Sequence, residues 1–234
     1  MAKEIELSTL RHSTAHVMAE AVLEMFPDAQ IAIGPAIENG FYYDFDLPRP
    51  LTDADFETIT KNMRKIINSG KEFVRKEVTR EEAREIFKDQ KYKLELLDAI
   101  PEGETVTTYT QGGFTDLCRG PHVESTKDLV ADGFKLLSIA GAYWRGNEKN
   151  KMLTRIYATA WGSKEDLKAY MDHLADIEKR DHRKLGKELD LFSLHEEAGP
   201  GLVYWHPRGA RIRQTIEQFW REEHYKNGYE MVYT

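Results

Sequence analysis

The chain has 234 residues, 41% hydrophobic and 31% charged, enough for an ordinary core and unlike a disordered or fibrous polymer. Its 33 Lys and Arg against 40 Asp and Glu leave a net charge of −7, which argues against a general basic coat for nucleic acid. A single cysteine, Cys118, excludes an intrachain disulfide. No apolar run approaches the ~20 residues of a membrane span, and the mixed-charge start lacks the apolar core of a signal peptide, so no membrane role is expected and a reducing cytoplasm is the expected setting.

Apolar positions Leu10, Val17, Ala21, Val22 and Met25 recur at helical spacing and predict a helix over residues 9 to 26, with Ser8 as N-cap and Pro27 as the stop. Gly34, Pro35, Asn39 and Gly40 mark a turn before an aromatic strand at residues 41 to 45. Thr52 or Asp53 caps a second helix to about Ser69, with Phe56, Ile59, Met63, Ile66 and Ile67 inward and Gly70 closing it. A strand at 73 to 78 precedes a helix begun by Thr79, with Glu82 in capping-box position. Residues 105 to 118, 134 to 143 and 151 to 161 are rich in β-branched and aromatic residues and read as strands. Ser163 caps a long polar helix to about residue 188, with Leu167, Tyr170, Met171, Leu174 and Ile177 on one stripe. A last helix runs from Pro207 to about Lys226, ends at Gly228, and leads into a strand at Tyr229 to Tyr233.

This order predicts an α+β fold: a two-layer domain at residues 1–162 whose mostly antiparallel sheet is covered by helices. A linker helix follows at 163–188, then a further domain from 189 to 234. Two basic clusters stand against the negative total: Lys61, Arg64, Lys65, Lys71, Arg75 and Lys76, and Lys179, Arg180, Arg183, Lys184 and Lys187. Each is either a solvated helix face or a contact for a phosphate backbone.

Two residue pairs carry the chemistry. His12 and His16 lie four apart on the first predicted helix, so both rings leave one face. Cys118 and His122 are also four apart, in a segment that Gly120 and Pro121 make a turn. If the pairs converge, three imidazoles and a thiol form either a zinc site or a metal-free pocket that orders a water and handles its proton.

The segment His12-Ser13-Thr14-Ala15-His16 resembles the HxxxH motif of the editing domain shared by threonyl- and alanyl-tRNA synthetases, and Cys118 to His122 resembles its CxxxH partner. Ala32-Ile33-Gly34-Pro35, Asn39-Gly40-Phe41-Tyr42-Tyr43-Asp44, Gly141-Ala142-Tyr143-Trp144-Arg145-Gly146 and Arg155-Ile156-Tyr157 through Trp161 are similar to the threonyl family. The similarity extends from about residue 9 to the last residue. It implies an editing domain at 1–162 and, at 189–234, the truncated start of a class II catalytic domain, with the small domain that usually precedes HxxxH missing.

For such a family member the resemblance implies hydrolysis of serine mischarged onto tRNA(Thr). His12 and His122 would position or activate water, with Lys93 as a further polar catalytic group. Tyr43 and Asp116 would bind the seryl moiety, and His16 and Cys118 would complete the wall that measures side-chain size. No metal would be required for editing, with zinc on His12, His16, Cys118 and His122 as the alternative. ATP, Mg and a synthetic-site zinc would belong to catalytic-domain segments outside this chain. The partner would be the tRNA(Thr) acceptor end carrying serine. The intact enzyme would be a homodimer that attaches threonine to tRNA(Thr) with ATP, and this chain alone a monomer or weak dimer. A non-catalytic tRNA-binding module and a free-standing trans-editing hydrolase are the alternatives.

Overall fold

The structure, a computed structural model, describes residues 5–195, 197, 199 and 201–233. It has two compact units, Met1–Ala169 and Tyr170–Thr234. In chain order the first contains helix α1 (Leu7–Met25), strands β1 (Gln30–Ile31), β2 (Ala36–Ile37) and β3 (Gly40–Asp46), and helix α2 (Asp53–Ser69). Strand β4 (Val74–Val78), helices α3 (Arg80–Ile86) and α4 (Lys91–Asp98), and strands β5 (Val106–Gln111), β6 (Phe114–Leu117), β7 (Phe134–Tyr143) and β8 (Met152–Ala160) follow. The fold is α+β, as expected. Every strand pairing is antiparallel, in a five-stranded sheet ordered β1-β3-β8-β7 with β2 also on β3, and a three-stranded sheet ordered β4-β5-β6.

α1 forms the centre of this unit. It packs on α2, β3 and β8, and from Leu10 to Val22 every residue except His12 is buried. The expected apolar stripe is therefore too narrow a description: this helix has almost no solvent face. Its interior polar groups survive burial because they are bonded. Ser13 and Thr14 hydroxyls donate to the carbonyls of Thr9 and Leu10, each at 2.8 Å, and Arg11 donates to the carbonyls of Ala160 and Glu38. The helix starts after Glu6 without a side-chain cap, so Ser8 lies inside its first turn and is not the N-cap.

The inward residues of α2 are as read: Ile59, Met63, Ile66 and Ile67 are buried with Tyr43, Phe41 and Phe45 of β3 in one core. Gly70 ends α2 in the left-handed region at φ 68°. At its other end, Asp55 accepts from the Thr52 backbone N–H (2.7 Å) and hydroxyl (2.9 Å), and from both terminal nitrogens of Arg49. The Thr79–Glu82 capping box of α3 forms in both directions, at 3.1 and 2.8 Å.

Two expectations need correction and two features are added. The helix begun at Thr79 is α3, and a second short helix, α4, follows after residues 87–90. The polar helix at 163–188 is two, α5 (Lys164–Lys179) and α6 (His182–Glu188), because Asp181 turns its carboxylate onto the Arg183 N–H (2.7 Å) and restarts the helix as a new N-cap. Residues 192 to 205, unassigned from sequence, hold a hairpin of β9 (Phe192–Leu194) and β10 (Val203–Trp205). The strand at 229 to 233 is not formed; none of the described strands pairs with it, and an extended segment needs a ladder partner to count as a strand. The final helix α7 (Pro207–Lys226) matches its expected limits. The division between units falls within α5, and no helix among the described residues is long and apolar enough to cross a membrane.

The Arg49 guanidinium beside Asp55 holds that carboxyl well below its usual range. A depressed folded-state pKa stabilises above the unfolded value and the gain is lost as pH falls through it. Asp55→Asn is expected to cost about 1–2 kcal/mol at pH 7. In paired thermal melts the gap to wild type should narrow steadily below about pH 3.9; a gap that stays constant to pH 2 would contradict the ion-paired cap.

Candidate active site

Residues from four elements converge beside α1. The helix supplies His12 and His16 one turn apart. β6 delivers Asp116 and, just past its end, Cys118, whose backbone N–H still bonds to the Thr107 carbonyl at 3.1 Å. The chain then turns at Gly120, with φ 75°, and returns with His122. A Cβ at Gly120 would come within 2.4 Å of the Tyr109 hydroxyl, so the turn requires glycine for both its dihedral and its clearance. The two matched pairs thus meet, as their spacing suggested. Cys118 Sγ lies 3.3 Å from His12 Nε2 and 3.3 Å from His122 Nε2, and accepts the Gly120 N–H at 3.2 Å. The ring centroids of His12 and His16 stand 4.2 and 4.1 Å from that of His122.

A second, deeper array stands behind these rings. Lys93, on α4, is 2% exposed and forms an ion pair with Asp116, which is 3% exposed. Tyr43, on β3, donates its hydroxyl to Asp116 Oδ2 at 2.6 Å and accepts from Lys93 Nζ at 3.2 Å. His16 Nε2 is 3.4 Å from the same carboxylate oxygen. The open rim is lined by Ile33, Gly34, Pro35, Leu117 and Arg119, and the cleft encloses about 350 Å³. His12 faces this cleft and a neighbouring one bounded by Ser8, Thr9 and Pro121.

Burial sets the protonation states. It lowers the pKa of His12, and lowers that of His16 further, aided by His12 and Lys93. Burial also drives His122 far down, helped by the two neighbouring imidazoles. The three rings are therefore neutral near pH 7. Burial, then Asp116, pushes the Tyr43 hydroxyl well above 10, so it remains a donor. Burial pushes the Cys118 thiol up to about 12, so it is a thiol and not a nucleophilic thiolate. The arrangement therefore offers neutral imidazole acceptors at an open rim and a buried cation–carboxylate–phenol array behind them.

Comparison with known proteins agrees with this geometry. Residues 106–157, which contain Asp116, Cys118 and His122, match the family described as threonyl and alanyl tRNA synthetase second additional domain. A threonine--tRNA ligase of Borrelia recurrentis is 56% identical over 232 residues, which is 99% of this chain and 40% of that protein. One from Dehalococcoides mccartyi is 58% identical over 229 residues, 98% of this chain and 39% of the relative, and one from Borreliella burgdorferi is 54% identical over 232 residues. The chain belongs to the threonyl-tRNA synthetase family. It spans about two-fifths of the length of these relatives.

In this threonyl-tRNA synthetase segment, the ligand atoms of His12, His16, Cys118 and His122 lie within 4.8 Å of one another. Their types and spacing fit a tetrahedral zinc, and His16 Nδ1 is a buried nitrogen with no hydrogen-bond partner among the described residues. Those four side chains would hold the ion, which would supply a Lewis acid and a more acidic bound water. Its entry would have to displace the thiol proton of Cys118.

All seven residues expected at the site are brought together. Sequence reasoning missed their supports. Ser13 Oγ lies 3.0 Å from His122 Nδ1. Phe73 stacks on the His122 ring with centroids 5.1 Å apart and planes at 9°, and Tyr109 meets its edge at 4.5 Å. A Cβ at Gly34 would fall 2.0 Å from the Tyr43 ring, so Gly34 is what lets Tyr43 lie beside Asp116. α4 is held in place by Gln90, whose side chain accepts the Ile31 N–H and donates to Ala29 O, and by Lys91 and Tyr92, which both bond to Asp46 of β3.

Lys93→Met would leave the Asp116 carboxylate buried without its cation, which is expected to cost about 3–5 kcal/mol. Adding Asp116→Asn removes the stranded charge and should recover part of that loss. Urea denaturation of both variants checks this; a Lys93→Met midpoint equal to wild type would mean the pair is not buried.

Proposed function

We propose that this segment hydrolyses the ester of serine mischarged onto tRNA(Thr), and that it belongs to a longer cytoplasmic enzyme that attaches threonine to tRNA(Thr) with ATP. One observation carries the reading: two neutral imidazoles face Cys118 at the rim of an open cleft, directly in front of a buried lysine–aspartate–tyrosine array. The need is physical. Serine lacks only the methyl of threonine, and a pocket built for the larger side chain rejects the smaller by only ~10–200-fold. A second site that admits serine and excludes the methyl removes the error.

His12, on both clefts, is placed to take a proton from a water attacking the ester carbonyl and return it to the leaving ribose oxygen. His122 holds the Cys118 side of the same wall. The Lys93 ammonium supplies positive charge near the carbonyl oxygen as it becomes anionic, and Tyr43, whose hydroxyl donates to Asp116, stands with that carboxylate on the seryl side. Asp116 is the acceptor for the seryl amino group, and His16 and Cys118 close the end that measures the side chain. The exposed cations of α2 and β4, Lys61, Lys65 and Lys76, are candidates for phosphate contact; Arg64, Lys71 and Arg75 of the same cluster are paired with Asp132, Glu20 and Glu77.

The test is release of radiolabelled amino acid from Ser-tRNA(Thr) and Thr-tRNA(Thr). The chain is expected to release serine and spare threonine, and His12→Ala to slow release by about 10²-fold or more. Activity should survive dialysis against a chelator. Equal rates for both substrates would sink the size-sieve reading, and loss on chelation with recovery in zinc would make the four His and Cys side chains metal ligands.

A further inference from the structure

Ser13 follows His12 on α1 and is fully buried. Its oxygen has three polar neighbours: the Thr9 carbonyl at 2.8 Å, the Val123 backbone N–H at 3.0 Å and His122 Nδ1 at 3.0 Å. A hydroxyl has one hydrogen and two acceptor positions. The hydrogen goes to the Thr9 carbonyl, the shortest of the three contacts and an acceptor only. One lone pair receives the Val123 N–H. The remaining lone pair can face only a donor, so His122 presents Nδ1–H to Ser13 and leaves Nε2 bare.

That bare nitrogen is the atom 3.3 Å from Cys118 Sγ. The sulfur already accepts the Gly120 N–H, and as a thiol it has one hydrogen for two candidate imidazoles. With His122 Nε2 bare, the S–H has an acceptor on that side and is not required to point at His12 Nε2. The opposite polarity would put a proton on His122 Nε2, turn it toward sulfur, and direct the S–H onto His12. The stacking of Phe73 and the edge contact of Tyr109 hold the His122 ring, so its two nitrogens cannot exchange places by rotation.

We propose that Ser13 is a positioning residue that fixes the His122 tautomer and, through the Cys118 thiol, leaves the His12 lone pair free for the attacking water. The consequence for catalysis rests on the hydrolytic reading above; the tautomer does not. The probe is the full chain labelled with 15N-histidine, with the His122 ring signals assigned by comparison with His122→Asn. Long-range 1H–15N spectra at pH 7 should show a proton-bearing Nδ1 and a bare Nε2 on His122. In Ser13→Ala the Nδ1 preference should disappear while far-UV circular dichroism is unchanged. The same variant should lower kcat for seryl-tRNA deacylation about 10-fold with KM retained, and Ser13→Thr, which keeps the hydroxyl, should restore both signals. A proton on His122 Nε2 in the wild type, or a His122 spectrum unaltered by Ser13→Ala, would overturn the proposal. If the wild type released no serine, the hydrolytic reading would fail while the spectra still decided the tautomer.

Discussion

Withdrawing an ammonium and a carboxylate from water costs several kcal/mol per ion, recovered only when the two meet with their remaining bonds satisfied. Lys93 and Asp116 form such a buried pair. One stands on a short helix, the other on a strand of the smaller sheet, and Tyr43, bonded to both, belongs to the larger sheet. The pair therefore holds together the three elements around the cleft. The stitching of α4 to β1 and β3 through Gln90, Lys91 and Tyr92 has its physical sense here, because a lysine can be buried against one carboxylate only if its helix is held in register.

The same constraint explains the placement of glycine. Tyr43 reaches Asp116 because residue 34 has no Cβ, and Tyr109 reaches the edge of His122 because residue 120 has none. Both aromatic rings occupy space that any other residue would fill, so the wall of the site is built by omission as much as by contact.

Much of the site was legible because its spacing is local. His12 and His16 share a helix face, and Cys118 and His122 bracket a Gly-Pro turn; each pair is a statement about four consecutive positions. Lys93, Tyr43 and Asp116 entered only through resemblance, since a lysine on a short helix carries no local mark of burial. Ser13, Phe73 and Tyr109 were missed altogether, because their role depends on His122 arriving from a turn that is distant in sequence or lies beyond the next strand. The fold followed the same rule. α2 and its left-handed Gly70 were readable from periodicity and capping, whereas the break at Asp181 turned on one carboxylate choosing a nearby N–H over a continuous helix. The periodicity of α1 underestimated its burial, since a helix covered on nearly all sides needs small and bonded polar residues rather than a stripe.

That burial has a consequence for how the molecule can change. The helix that holds His12 and His16 also fills the middle of the core, so its packing and the geometry of the imidazole cluster share the same atoms. A surface-mounted active site can drift in sequence while its scaffold is repaired elsewhere. Here a repair to the scaffold moves the imidazoles, and a change at the imidazoles unsettles the scaffold. Stability and the geometry of the cleft are then not separate traits to be traded, and substitutions along α1 should be tolerated only in concert with the strands and the second helix that enclose it.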